Sequence, residues 1–409
     1  MKVRKVVVVN DWGYVNGGAG FVAIESAIGL AKEGLDVVLL CAVGPIDERL
    51  AQVGVKVVCT GQCDIKNRKD RLGATTQGLW NVKAARALRA ILRSCPPEDS
   101  VVHFHAWMKA LSPSLFRETR LWGGRVFVTN HDFFAVCPNG GMFNYRRMET
   151  CKYTAGSLAC ALSNCDSRCY AHHLWRFVRQ KVQDLNLWRN KLTAISISES
   201  SERMLRSYYD KHRIEVRRVV NPVSVGDGCR KADVAGNDEF VFLGRVSNDK
   251  GARLFCEAVS RLGGHGLVIG DGECREELEA QFPSVAFVGW QEGDAKISFL
   301  LRAKVLVLPS LQNETFGLSV IEAMSLGIPC VVPGKMAPAE NVEDGITGFL
   351  FEHGSIESLV AALRRVLASD IGEIQKNIVE RFDADRWGLR RHTHSLVAVY
   401  EGAVVADAS

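Results

Sequence analysis

The sequence predicts an α/β protein made of two doubly wound parallel sheets in succession. A strand–helix alternation begins at Lys5, the same rhythm restarts near Glu239, and a turn-rich stretch with little periodicity lies between them. At 409 residues, 47% of them hydrophobic, the chain exceeds one typical core and suits two domains of ordinary size. It carries no low-complexity tract and no fixed-period repeat.

Taken in order, the first half offers a strand at Lys5–Val9, a helix from Gly20 to Gly34, and strands at Asp36–Cys41, Ser100–Phe104 and Arg125–Thr129. The second offers strands at Phe240–Leu243, Gly266–Ile269, Val285–Val288, Lys304–Leu308 and Pro329–Val332, with helical patterns between them. Asn221-Pro222-Val223 and residues 226–237 carry linker chemistry. The expected division is therefore 1–220, 221–385 and a terminal helix within 386–409, with an insertion of polar loops near 137–170. Open α/β sheets bind ligands beyond the carboxyl ends of their strands, so the functional residues are sought just after strands and the two domains are expected to face across a cleft.

Composition narrows the setting. The basic start Met1 to Lys5 leads into an apolar run that stops at Asn10-Asp11, too short for a secretory h-region, and no apolar stretch approaches the roughly 20 residues that span a bilayer. The expectation is a cytoplasmic protein, any membrane contact being peripheral and at the inner face. Thirteen cysteines are then expected as reduced thiols. Residues 1–220 hold 33 Lys and Arg against 19 Asp and Glu, a net of +14; the remainder holds 18 against 27, a net of −9. A basic half either faces something anionic or is a solvated basic surface without a partner. Nucleic acid is disfavoured, because no reading module is recognisable.

The richest string follows the strand ending at Leu308: Pro309-Ser310, Glu314-Thr315-Phe316-Gly317-Leu318, Ile321-Glu322-Ala323-Met324, Gly327-Ile328-Pro329. Glu314 sits in a strand-to-helix loop, Gly317 lets the backbone approach a ligand, and a helix starting near Leu318 points free N–H groups outward, a geometry suited to phosphate or sugar hydroxyls. Glu322, about one turn on, is placed to accept from vicinal hydroxyls.

Two acids separated by seven residues in this string resemble the signature of the retaining glycosyltransferases of family 4, which have the GT-B fold of two Rossmann-like domains. The resemblance covers nearly the whole chain. It implies that Glu322 holds the ribose, and that Glu314 and the backbone of Phe316, Gly317 and Leu318 contact the donor sugar and phosphates. It also implies that Gly244-Arg245 and Lys250-Gly251 form the diphosphate clamp, where a guanidinium and an ammonium stabilise the charge of the departing nucleotide. Gly270-Asp271-Gly272 and Gly289-Trp290 are similar to loops of the nucleotide pocket. In the first half, Asn16-Gly17-Gly18-Ala19-Gly20 would bring Gly17 and Gly18 under the donor phosphates. His131-Asp132 matches the family's cleft histidine, and His131 is the expected contact at the reaction centre. His103 and His105 share one strand face by alternation; His105 and Asp132 are the candidate acceptor contacts.

Two segments stay outside that pattern. Cys137, Cys151, Cys160, Cys165 and Cys169 crowd the insertion; a structural zinc is open, but the spacing lacks Cys-x-x-Cys knuckles and a reduced-thiol loop is the expectation. Residues 170–191 place Trp175 and Trp188 among Arg176, Arg179, Lys181, Arg189 and Lys191, which reads either as tryptophans packed into a core or as a membrane-interface helix, the first being favoured.

The expected activity is a metal-independent, retaining transfer of a hexosyl group from a UDP- or GDP-type sugar to a hydroxyl of a glycan or lipid-linked glycan, with no cofactor, in cell-surface polysaccharide or glycolipid synthesis. A nucleotide-sugar epimerase or hydrolase, or a non-catalytic glycan- or nucleotide-binding subunit, is the alternative.

Overall fold

The computed structural model describes residues 2–223 and 230–403. Residues 226–229 of the sequence-read linker and residues 404–409 of the terminal segment lie outside the described residues. The chain divides into two units: Met1–Met142 with Lys152–Pro222 and Asp385–Ser409, and Phe143–Cys151 with Val223–Ala384.

In the first unit the strands are β1 (Lys5–Val9), β2 (Asp36–Cys41), β3 (Lys56–Cys59), β4 (Ser100–Phe104) and β5 (Arg125–Thr129). After the short hairpin β6 (Phe143–Asn144) and β7 (Glu149–Thr150), which groups with the second unit, follow β8 (Lys191–Ser196) and β9 (Glu215–Arg218). The sheet runs β3-β2-β1-β4-β5-β8-β9, every pair parallel. A parallel sheet needs both faces covered, which is why β1 is an unbroken valine run with Val6 to Val9 fully buried. Alternate residues go to opposite faces: Val7, Val9, Val102 and Phe104 pack with Leu88, Leu115 and Phe116, while Val6, Val8, Val101 and Phe127 pack with Ile24 and Ile28 of the helix Gly17–Lys32.

The helix Leu389–Glu401 closes that second face. Leu396, Val399 and Tyr400 are buried in it, each burial being worth about 1.5–3 kcal/mol. Polar contacts fix its register: His392 Nε2 lies 2.8 Å from Ser26 Oγ, His392 Nδ1 2.7 Å from the Val220 carbonyl, and Tyr400 Oη 2.6 Å from His103 Nδ1.

The second unit contains β10 (Glu239–Leu243), β11 (His265–Ile269), β12 (Val285–Phe287), β13 (Ala303–Val307), β14 (Cys330–Pro333) and β15 (Gly348–Phe351), in the order β12-β11-β10-β13-β14-β15 and again all parallel. Its core is continuous, from Phe240 and Phe242 to Ile374 and Ile378 of the helix Ile371–Arg381. Two parallel-sheet α/β domains are thus what the strand–helix alternation predicted. Strands β3, β8, β9 and β15 and the hairpin β6–β7 are additions to that reading. Among the described residues no helix is long and apolar enough to cross a membrane.

Candidate functional site

In the second unit the predicted residues converge at the carboxyl ends of four strands. Gly244 and Arg245 follow β10, Gly270 and Asp271 follow β11, Gly289 follows β12 and Glu314 follows β13. The first two loops touch: a Cβ on Gly270 would stand 1.8 Å from the Gly244 carbonyl oxygen, so that position excludes any side chain. Gly251 plays the same part beside β13, where a Cβ would meet the Pro309 carbonyl at 2.0 Å. That approach carries the neighbouring Lys250 to Glu314, Nζ to Oε1 2.7 Å, and Ser310 Oγ donates to the same oxygen at 2.5 Å. Arg245 donates from Nη2 to Asp249 Oδ2 at 2.8 Å and from Nε to Ser247 Oγ at 3.2 Å, with its side chain still 58% exposed. Phe316 is buried, Gly317 takes a left-handed conformation at the cap, and the helix Leu318–Ser325 starts there with Glu322 inside it. Glu322 accepts from Lys296 Nζ at 2.9 Å. Asp271 lies 3.6 Å from Arg275.

Lys296, Asp249 and Gln312 were not singled out from the sequence. Lys296 belongs to the helix Gly293–Leu300, just beyond the Gly289-Trp290 loop, and that position after a strand was the available signal.

The first unit builds a different site. Gly17 and Gly18 open the helix Gly17–Lys32, whose cap residue Asn16 makes no side-chain capping bond. Beside them a cavity is lined by Asp11, Trp12, Asn16, His105, Trp107 and Asp132, among others. Asp11 is wholly buried and accepts from three successive backbone N–H groups, Lys109 (2.9 Å), Ala110 (2.9 Å) and Leu111 (2.7 Å). It thereby staples the loop that follows His105; burial raises its carboxyl while the three N–H groups oppose the rise. His105 Nδ1 and His131 Nε2 are 2.9 Å apart with stacked rings, and the buried Nε2 of His105 has no hydrogen-bond partner among the described residues. Burial pushes His131 down to about 3 and His105 well below the usual imidazole range, so the pair shares its hydrogen bond as two neutral rings. Asp132 behaves oppositely: burial lifts its carboxyl to about 6, although the Phe134 N–H donates to it at 3.0 Å. His103 does share its strand face with His105, their ring centroids 4.2 Å apart, and bonds Tyr400 and Thr129 (Nε2 to Oγ1 2.7 Å).

The cysteines do not gather into the four-thiolate set weighed from the sequence. Cys137 and Cys165 are bridged by the Asn139 amide (3.2 and 3.3 Å), Cys165 lies 3.5 Å from His173 Nδ1, Cys169 is exposed, and Cys151 goes with the second unit. Burial pushes the Cys137 thiol up to about 12. Among the described residues no group of three His, Cys, Asp or Glu side chains could hold a metal ion.

Trp175 packs under the Arg179 guanidinium (4.7 Å to the ring) and Trp188 stacks on His212 (4.3 Å). The outward face of the helix Tyr170–Leu187 instead carries Tyr170, Leu174, Val178 and Leu185, with Leu158 and Leu162 exposed nearby in sequence.

Residues 237–369 match the family described as Glycosyl transferases group 1, so the second unit carries a domain of that class. The sulfoquinovosyl transferase SQD2 of Arabidopsis thaliana is 32% identical over 155 residues, 35% of this chain and 30% of that protein. A glycogen synthase of Xanthomonas axonopodis pv. citri (strain 306) is 35% identical over 136 residues, 31% and 28% respectively. The chain spans under a third of the length of these curated relatives. Over almost its full length it is similar in structure to Anabaena Alr3699/HepE solved with UDP and glucose (TM-score 0.67, 15% identity, 97% of this chain and 99% of that one). It is similar too to the sucrose-phosphate synthase tll1590 of Thermosynechococcus elongatus (TM-score 0.70, 17% identity, 98% of each chain). The fold is the GT-B fold.

Proposed function

We propose that the protein is a retaining glycosyltransferase of family 4 that moves a sugar from a UDP- or GDP-type donor to a hydroxyl of a glycan or lipid-linked glycan. One observation carries this reading: inside the group 1 domain, the loop after β10 and the loop after β13 meet where Lys250 bonds Glu314, and beside that contact Arg245 is held by Asp249, so that one region presents a guanidinium and an ammonium. In the proposed reaction the bond from the anomeric carbon to the diphosphate oxygen breaks, and the acceptor oxygen bonds that carbon on the same face. The acceptor's proton passes to the leaving phosphate. Arg245 and Lys250 stabilise the growing negative charge, and Glu314, Phe316, Gly317, Leu318 and the Gly270-Asp271 loop position the donor. Glu322 takes the ribose hydroxyls once they displace Lys296. Gly17, Gly18 and His131 serve the donor from the first unit, and His105 and Asp132 receive the acceptor. The UDP in the HepE structure supports a UDP-type donor.

The test is a thermal-shift panel of UDP, GDP, ADP and their sugars, followed by nucleotide release with and without acceptor glycans. Release that requires an acceptor supports transfer; release without one would favour hydrolysis, and no response to any nucleotide would sink the reading.

We further propose that the leucine-bearing face of the helix Tyr170–Leu187 rests on an anionic membrane, at the inner leaflet where a lipid-linked acceptor would lie. Exposed Lys181, Arg189 and Lys191 on and just after that helix complement acidic head groups. Co-sedimentation with phosphatidylglycerol vesicles should fall severalfold in a Leu174→Ser/Leu185→Ser variant, and unchanged binding would remove the proposal.

A further inference from the structure

The hairpin Phe143–Cys151 departs from the insertion around it. The flanking insertion belongs to the first unit, yet the hairpin groups with the second. It is internally braced: Phe143 is fully buried, Asn144 Oδ1 accepts from the backbone N–H groups of Arg146 (3.1 Å) and Arg147 (3.2 Å), and the Tyr145 ring meets Phe143 edge-on at 5.2 Å. Tyr145 Oη then lies 3.3 Å from the side-chain amide of Gln312.

Gln312 is itself a junction. Its backbone N–H and that of Leu311 both donate to the Asp249 carbonyl at 3.0 Å. In the amide orientation that gives each atom a complementary partner, the nitrogen donates to Tyr145 Oη (3.3 Å) and to Asp249 Oδ2 (3.0 Å), and the oxygen accepts from Lys250 Nζ (2.8 Å). Asp249 Oδ2 also holds Arg245, and Lys250 also holds Glu314. An ammonium has three N–H donors; with Gln312 and Glu314 taking two, the direction of the third is set. Gln312 therefore orients both cations of the clamp, and Tyr145 orients Gln312.

We propose that Tyr145 is a positioning residue for diphosphate binding, acting through Gln312 on Lys250 and Asp249, so that a segment of the cysteine-rich insertion is a working part of the nucleotide site. This rests on the donor reading given above. The experiment is calorimetric titration of the full chain with UDP, GDP, ADP and inorganic pyrophosphate, using wild type, Tyr145→Phe, Gln312→Ala and the double variant. Tyr145→Phe removes one hydroxyl and keeps the ring on Phe143, so its melting temperature should match wild type. The expected result is a three- to tenfold weaker diphosphate affinity for Tyr145→Phe, on the scale of about one hydrogen bond, and almost no added loss when Gln312 is already Ala. A merely structural role would give the same loss in both backgrounds, and that outcome, or wild-type affinity in Tyr145→Phe, overturns the proposal while leaving the donor reading intact. Failure of wild type to bind any of the four ligands overturns both.

Discussion

The two units place ionisable groups in opposite environments. In the second, opposite charges are paired: Lys250 with Glu314, Lys296 with Glu322, Arg245 with Asp249, all at 2.7–2.9 Å. In the first, His103, His105, His131 and His392 are kept neutral by burial, and Asp132 is drawn toward its neutral form. Charge-bearing loops suit a polyanionic nucleotide, whereas neutral donors and acceptors suit an uncharged hydroxyl. Under the proposed function, one fold repeated in a chain serves two chemistries by whether the residues after its strands are paired charges or enclosed neutral groups.

The largest effect that tests this contrast is on turnover. Arg245→Ala should lower turnover at limiting donor by about 10²–10³-fold, as loss of one preorganised charge donor does, with little change in stability because the side chain is more than half exposed. Wild-type turnover in that variant would break the assignment of charge stabilisation to the second unit.

Next comes acid stability. His131 is pushed down to about 3 and His392 to about 4, with His103 and His105 also lowered, so the unfolded chain binds more protons than the folded one below about pH 6.5, and stability is lost as pH falls. Asp132 has the opposite sign: raised from 3.8 to about 6, it binds its proton preferentially in the folded state and offsets part of that loss between about pH 6 and 4. Urea midpoints at pH 7 and pH 5 should thus differ more in Asp132→Asn than in wild type. An equal or smaller difference would remove Asp132 from the enclosed site.

Smaller again is the contrast between single contacts. Tyr400→Phe strips a partner from fully buried His103 and should cost about 1–3 kcal/mol, whereas Arg253→Ala breaks the exposed pair with Glu277 and should cost under about 1 kcal/mol. Equal costs in chemical denaturation would blur the distinction drawn here.

The two sites were unequally legible in the sequence. Glu314 and Glu322 stand beside a strand and a glycine in one short string, so local pattern nominates them, whereas Arg245 and Lys250 rest on the family resemblance. His105 and His131 were nominated from strand ends too, but nothing local reveals that they bond each other, that Asp11 staples the loop after His105, or that Asp132 is enclosed. The insertion was read as a cysteine loop, and its hairpin went unseen because two-residue strands leave almost no periodic trace.

What this sequence determined by itself was the pair of parallel sheets and the loops that carry chemistry. Apolar periodicity, glycine placement and strand ends are properties of neighbouring residues and survive in one dimension. Only the tertiary structure decided which groups meet: Lys250 with Glu314 across 64 positions, Tyr145 with Gln312 across 167, His103 with Tyr400 across 297. Burial and hydrogen bonding depend on atoms brought together by the whole core, and proton affinity and orientation follow from those contacts.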